Sequence, residues 1–587
     1  MQGLIDDTIV ELTVYTYTTL FGGKQLIPKR VKRIKNSVMA TQYNYSDKKI
    51  LIVDDQRAFQ VMLKAMLQNF GATDVYFANT GEAAVKACRK RKFDILLVDY
   101  NLGTGKNGGQ LLEELRVSKL LDVDALFFII SGDNNKSMVL SALEMEPDEF
   151  ITKPFSQFQL HNRLARANLK RQSLRGIYQA LAEKKYHKVI ELCDEQIKQD
   201  SRYSNYCRNL RVEAQIALEE YSAAKDALEE ILKERKQTWA KATLGRVYLL
   251  LNDNKNAIET LNRSVAESPL LLTAYDWLAR AYRAEGELDK ALDTVLKASK
   301  LAVNSLERQQ LLAELAMESG DLTLAKETFS TILQLARRSI HRGPHHLCNY
   351  VRSLIDEAQS EDDLYRKNRL LQEVNSVLFH ARREEGKDDD FNFDAFEGIS
   401  QARVHATKGE LNKAKRLLFD SHDGLLDTPN KVSGELLPDT FLTLNSVGEF
   451  EYAMPFAEEL EKRQGIDPVS LQSAQKVLKA EDFELKLGQF REYNKMGIEA
   501  YEEHRYQDAI NYFDKALLVA PGNTGAILNK IQAILKQLSL NPKAMSGQLL
   551  NECKTTIKQL DGLKLNDNHA ERYSTLKNEF QQLGSKK

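Results

Sequence analysis

From Lys49 to about Lys170, short apolar runs alternate with amphipathic stretches. The runs are Ile50–Val53, Val75–Ala78, Asp94–Val98, Leu126–Ile130 and Glu149–Thr152, each four or five residues long and rich in β-branched or aromatic types. Runs of this kind predict strands covered on both faces by crossover helices. Between them, Ala58–Phe70, Glu82–Lys92, Gln110–Lys119 and Lys136–Glu144 read as helices. Five such units predict an α/β domain with a doubly wound, five-stranded parallel sheet. After Lys170 the strand-like runs stop, and the remainder reads as all-α.

The helical half repeats itself. Ala223, Ala257, Ala291 and Ala325 recur at intervals of 34, and five positions before the last three stand Asn252, Gly286 and Gly320, residues suited to a turn between two helices. One copy continues from Leu244–Tyr248 to Ala257, Leu261 and Pro269, and the next carries Tyr275, Leu278, Tyr282, Ala291 and Ala298. The clearest copy has Tyr493, Gly497, Tyr501, Ala509, Phe513, Ala516 and Pro521, and weaker ones centre on Ala414 (with Gly409) and Ala453 (with Gly448). Small residues at this spacing let one helix approach another closely, and aromatics fill the space between repeats. The pattern resembles the tetratricopeptide repeat (TPR), which implies a solenoid whose concave face holds a peptide or helix. Residues 335–395 and 460–490 are helical but off-period, and the acidic run Glu384–Asp390 reads as a solvated break.

Composition narrows the function classes. At 587 residues the chain exceeds one core, and about one domain per 150 residues gives three or four. Lys plus Arg number 82 against 83 Asp plus Glu, a balance that argues against a globally basic nucleic-acid binder or a polybasic membrane protein. The 11 prolines and 29 glycines are few for this length, as stacked helices require. Five scattered cysteines without a CxxC pair predict free thiols, with neither a disulfide framework nor a zinc site. No apolar stretch is long enough to span a membrane. In residues 1–46 acidic Asp6, Asp7 and Glu11 precede the apolar stretch and a basic cluster follows it, the reverse of a secretory leader. This segment reads as a disordered extension or as sequence upstream of a start at Met39.

The chemistry of the α/β part should lie at the carboxyl ends of its strands. Those ends carry Asp54 and Asp55, then Asp99, Ser131 and Lys153. Three converging carboxylates need a cation, and an oxygen donor set suits Mg²⁺. Lys153 adds positive charge for an incoming phosphoryl group, the Ser131 hydroxyl can hydrogen-bond one of its oxygens, and a carboxylate is a reasonable nucleophile in phosphoryl transfer.

Residues 47–170 resemble the response-regulator receiver domain of bacterial two-component signalling. The resemblance rests on LIVDD at 51–55, LLVDY at 96–100, IISG at 129–132 and FITKPF at 150–155, and it implies the flavodoxin-like strand order. It further implies Asp99 as phosphoacceptor, with Asp54, Asp55, Asp99 and the backbone carbonyl of Asn101 holding Mg²⁺. Ser131 and Phe150 are the implied switch residues, with Phe150 turning inward on phosphorylation. Lys153 is the implied phosphate-binding lysine, with a cis bond to Pro154. The loop after Asp99, YNLGTGKNGG, departs from the family in lacking a Met-Pro pair and in being longer.

Three other features read as bland. Gly103, Gly105 and Gly108 fit a dinucleotide fingerprint but follow the third strand, beside Asp99, and Asn107 breaks a phosphate-binding loop after Gly105-Lys106. His341, His345 and His346 lack nearby ligands and read as surface histidines. Arg163, Arg166, Lys170, Arg171 and Arg175 lie on the connecting helix and read as a solvated face.

The expected organisation is an extension over 1–46, a receiver over 47–170, a TPR array over 171–340, an irregular helical region over 341–390 and a second helical array over 391–587. The expected function is a cytoplasmic, non-enzymatic regulator. A histidine kinase or phosphotransfer protein phosphorylates it, it slowly hydrolyses its own phosphoryl group, and its solenoid binds a protein partner in a phosphorylation-dependent way. The alternatives are action on nucleic acid through the basic connecting helix, or a constitutive scaffold with a degenerate receiver.

Overall fold

The computed structural model describes residues 45–133, 135–383, 391–422, 426, 428–540 and 547–585. The expected extension up to residue 44 and the acidic run Glu384–Asp390 lie outside the described residues. Five parallel strands, β1 (Lys49–Val53), β2 (Asp74–Ala78), β3 (Ile95–Asp99), β4 (Leu126–Ser131) and β5 (Glu149–Thr152), stand in the order β2-β1-β3-β4-β5. They alternate with α1 (Arg57–Gln68), α2 (Gly81–Lys90), α3 (Gly108–Val117), α4 (Lys136–Glu144) and α5 (Gln157–Ser173). Side chains alternate across each strand, so neighbouring residues feed different cores. Leu51, Val53, Leu96, Val98 and Phe127 pack with residues of α2, α3 and α4, whereas Ile50, Ile52, Ile95, Leu97 and Phe128 pack with α1 and α5. This two-sided burial is the reason the strands read as continuous apolar runs.

The folded part starts earlier than a boundary at residue 47. Tyr45 is fully buried, with its ring near Phe70 and His161. At the other end α5 gives way to α6 (Arg175–Ala182) across the single buried residue Leu174.

Helices then follow in hairpins: α6 with α7 (Tyr186–Lys198), α8 (Ser204–Ala217) with α9 (Tyr221–Glu234), α10 (Thr238–Leu250) with α11 (Asn254–Glu267), α12 (Leu272–Ala284) with α13 (Leu288–Leu301), and α14 (Leu306–Ser319) with α15 (Leu322–Ala336). The first helices of the last four hairpins begin at Ser204, Thr238, Leu272 and Leu306, 34 residues apart. Each turn has one device. Lys184, Glu219, Asn252, Gly286 and Gly320 all have positive φ, and five residues later Val189, Ala224, Ala257, Ala291 and Ala325 are fully buried. A left-handed residue ends one helix and sends the chain back along it, and the small residue lets the two helices touch. The structure therefore corrects the first repeat: the packed residue is Ala224, and Ala223 is exposed. Close approach also requires Gly245, where a Cβ would lie 2.4 Å from Leu261 Cγ.

The described chain divides into two compact units, one up to Arg342 and one from Gly343. The first holds the sheet and the helices α6–α15 together. The second begins with α16 (Pro344–Ser360) and α17 (Leu364–Ala381), helices of 17 and 18 residues in the stretch expected to be helical but off-period. It continues through α18 (Phe393–Thr407), α19 (Leu411–His422), α20 (Leu437–Ser446), α21 (Phe450–Lys462), α22 (Pro468–Leu478), α23 (Glu481–Glu502), α24 (Tyr506–Val519), α25 (Thr524–Leu540), α26 (Gly547–Leu560) and α27 (Asp567–Ser585). The same turn device recurs here: Gly409, Gly448 and His504 have positive φ, and Ala414, Ala453 and Ala509 are buried five residues later. Its core also buries charge, with Arg352 and Arg403 both on Asp439 at 2.7 and 2.9 Å. Among the described residues no helix is long and apolar enough to cross a membrane.

Candidate functional site

The carboxyl edge of the sheet collects the acids because β1 and β3 are adjacent and in register, Val53 opposite Val98. Asp54 follows β1 directly and Asp99 is the last residue of β3, so the two carboxylates face one another across neighbouring strands. One oxygen from each of Asp54, Asp55 and Asp99 lies within 4.8 Å of the others, and this is the one group of three or more such ligands among the described residues. Asp54 and Asp99 are buried, whereas Asp55 is exposed. Lys153, just past β5, places Nζ 3.0 Å from Asp54 Oδ2 and 2.9 Å from Asp99 Oδ2. The same ammonium stands 3.7 Å from the centroid of the Phe59 ring, which covers it from the α1 side.

Electrostatics at Asp99 are a contest. Burial pushes its carboxyl above the usual carboxylate range, Lys153 works against that shift, and Asp54 adds to it. The Asn101 N–H also donates to the Asp99 carboxylate. An oxygen-only set of three carboxylates, two of them buried, is the donor chemistry that a small hard divalent cation such as Mg²⁺ takes.

Ser131 ends β4, and its backbone carbonyl accepts from Lys153 N–H at 2.7 Å. The Ser131 hydroxyl turns toward the start of α4: it accepts from Asp133 N–H at 3.1 Å, and Met138 Sδ lies 3.8 Å away. Phe150 is only 3% exposed. The Lys153–Pro154 peptide bond is cis.

The long loop after Asp99 is tied down. Lys106 N–H donates to Glu82 Oε1 at 3.1 Å, and Asn107 and Gln110 form a reciprocal capping box at the start of α3. Gly108 packs against the strand end, since a Cβ there would sit 2.8 Å from the Asp99 carbonyl oxygen. Of the glycines that mimic a dinucleotide fingerprint, Gly108 thus serves close packing, and Gly103 takes a φ of +72°. Of the histidines, His341 pairs with Glu113 at 2.8 Å, and His346 is buried with its ring beside that of His345.

Sequence reasoning passed over Gln60, Phe59 and Glu82. Gln60 is fully buried, and its amide donates to the Asp54 carbonyl, the Ala78 carbonyl and Asn79 Oδ1. A polar residue three positions before Leu63 on the apolar face of α1 was the available signal.

The family description of the response regulator receiver domain matches residues 50–165. Over 122 residues the chain is 32% identical to the transcriptional regulatory protein YvrH of Bacillus subtilis (strain 168), covering 21% of this chain and 49% of that protein. Over 118 residues it is 32% identical to the alkaline phosphatase synthesis transcriptional regulatory protein PhoP of the same organism, covering 20% and 47%. The chain spans about half the length of these curated relatives. The solved chemotaxis response regulator CheY4 of Vibrio cholerae is 22% identical, with 20% of this chain and 98% of that one covered and a TM-score of 0.19. Residues 50–165 thus match the response regulator receiver domain, and a mostly helical chain follows them.

Proposed function

We propose that the protein is a response regulator phosphorylated on Asp99, with its helical array as a protein-binding output. The observation that carries this reading is the Lys153 ammonium set between the Asp54 and Asp99 carboxylates at 3.0 and 2.9 Å. Asp54, Asp55, Asp99 and the Asn101 carbonyl would hold Mg²⁺, which when bound supplies positive charge for the phosphoryl oxygens. Asp99 attacks phosphorus as a carboxylate, the bond from phosphorus to the donor's imidazole nitrogen breaks, and an acyl phosphate forms. Lys153 then exchanges a carboxylate oxygen for a phosphoryl oxygen, and the Ser131 hydroxyl donates to another. Slow attack of water on that acyl phosphate returns Asp99 to its free state.

The helical part supports a TPR-type output because its hairpins repeat every 34 residues with buried alanines at fixed places. Such a solenoid offers a concave surface suited to a peptide or helix of a partner protein. The relatives named as transcriptional regulators match over 122 and 118 residues, about a fifth of this chain, and the basic connecting helix is engaged inside the chain. Arg163 and Arg166 pair with Glu149, Arg171 with Asp148 and Arg175 with Asp124, and Lys170 lies over the Tyr206 ring. Arg166 and Arg175 remain exposed beside these partners, and the pairings weigh against a free basic stripe for nucleic acid. Incubation with acetyl phosphate and Mg²⁺ tests the reading: it expects one added phosphoryl group per chain by intact mass, lost in Asp99→Asn.

A further inference from the structure

The receiver does not stand apart from the repeats that follow it. Leu140 of α4 is buried in one cluster with Leu272, Tyr275, Ala298 and Ala302 of α12, α13 and the turn after it. Beside this cluster Arg308, at the start of α14, has a side chain only 1% exposed. Its Nε and Nη2 each reach Asp276 of α12 at 2.8 Å, and its Nη1 and Nη2 both reach the carboxylate of Glu144, the last residue of α4. Around them Asn304 donates to the Tyr100 hydroxyl at 3.3 Å, and Gln110 of α3 donates to the Leu335 carbonyl at 3.0 Å. Without Arg308, Glu144 and Asp276 would be two unpaired carboxylates facing one another in a largely dry interface, so this contact is either fully made or broken.

Helix α4 is thus held at both ends. Its first turn follows the Asp133 backbone that the Ser131 hydroxyl holds, and its last residue is in the fork of Arg308. A planar guanidinium gripping two carboxylates tolerates little rotation of either. If Ser131 swings its hydroxyl toward a phosphoryl group on Asp99, the bond to Asp133 is given up and the start of α4 is free to shift.

We propose that Arg308 is an intramolecular latch that holds α4 of the unphosphorylated receiver on the repeats and opens when Asp99 is phosphorylated. This rests on the reading of Asp99 as acceptor. Opening would expose the faces of α4 and α12 around Leu140 and Leu272. Linkage makes the coupling reciprocal: whatever weakens the latch must strengthen binding of a phosphoryl group or its mimic.

The test uses the full chain with fluoroberyllate and Mg²⁺, in the wild type, Arg308→Gln and Glu144→Gln. The latch predicts that fluoroberyllate speeds amide exchange in α4 and α14 of the wild type while β1 and β3 stay protected. Both variants should exchange fast there without it, and should bind it about fivefold or more tightly. Glu144→Gln keeps the side-chain shape and leaves Arg308 paired with Asp276, so it remains readable if Arg308→Gln misfolds. Unchanged exchange in α4 and α14 on loading, or mimic affinity in folded variants no higher than wild type, would overturn the latch. Acetyl phosphate labelling of the same wild-type sample separates the two readings. Labelling without latch opening refutes the latch alone, and no labelling removes both.

Discussion

Lys153 reaches across the end of the sheet and places its ammonium 2.9 Å from the Asp99 carboxylate. Because it also binds Asp54, the lysine neutralises part of a charge cluster that would otherwise repel itself. Replacing it with methionine removes that compensation while keeping most of the side chain's bulk. The Lys153→Met variant should lose about 3 kcal/mol of stability in chelator-treated buffer. Mg²⁺ should recover more stability in this variant than in the wild type, read from urea unfolding with and without the ion. An equal Mg²⁺ effect in both proteins would mean that the three carboxylates do not gather the cation.

The turn device makes opposite predictions at two positions. Gly286 has φ of +83° and open space around its missing Cβ, so Gly286→Ala meets only a conformational penalty. Lys184 has φ of 56° and is exposed, so Lys184→Gly relieves that same penalty. The first substitution should lower stability, and the second raise it, by about 0.5–1 kcal/mol each. Urea midpoints of the two variants check the sign.

At Gly245 the constraint is packing. A methyl group would overlap the Leu261 side chain, with Cγ at 2.4 Å and Cδ2 at 2.8 Å. Gly245→Ala should cost about 1–3 kcal/mol, and pairing it with Leu261→Ala should cost less than the sum of the two single changes. Additive losses in a double-mutant cycle would show that the two sites do not touch.

Much of this was legible in the sequence because a buried parallel strand needs a continuous apolar run and a βα turn needs punctuation. The five strands fall within a residue of the runs that predicted them, and the charged residues at their ends are those the site collects. What stayed hidden depends on long-range contact. Arg308 reads as an ordinary exposed arginine until two distant carboxylates close on it. Ala223 and Ala224 are neighbours of one residue type, and only the packing of α9 tells which faces inward. Helices α16 and α17 are longer than the repeat helices, so a search for a 34-residue period passes over them.

All five cysteines are buried free thiols. Burial pushes the Cys88 thiol up to about 11 and the Cys553 thiol up to about 12. Both groups therefore keep their protons when folded. Their stabilising contribution is complete below the unfolded thiol's pKa and declines as pH rises toward 11 and 12. At pH 8 the folded protein should react with a thiol reagent about two orders of magnitude more slowly at Cys88 than the unfolded chain does. Peptide mapping after brief alkylation, with and without urea, measures the ratio.

The most direct test of the central claim is where a phosphoryl group goes. The full chain is treated with acetyl phosphate and Mg²⁺ and then digested. The account predicts a single hydroxylamine-labile phosphoryl group on the peptide containing Asp99, absent in Asp99→Asn and absent when Mg²⁺ is chelated. Labelling that persists in Asp99→Asn, or no labelling of the wild type, would contradict it.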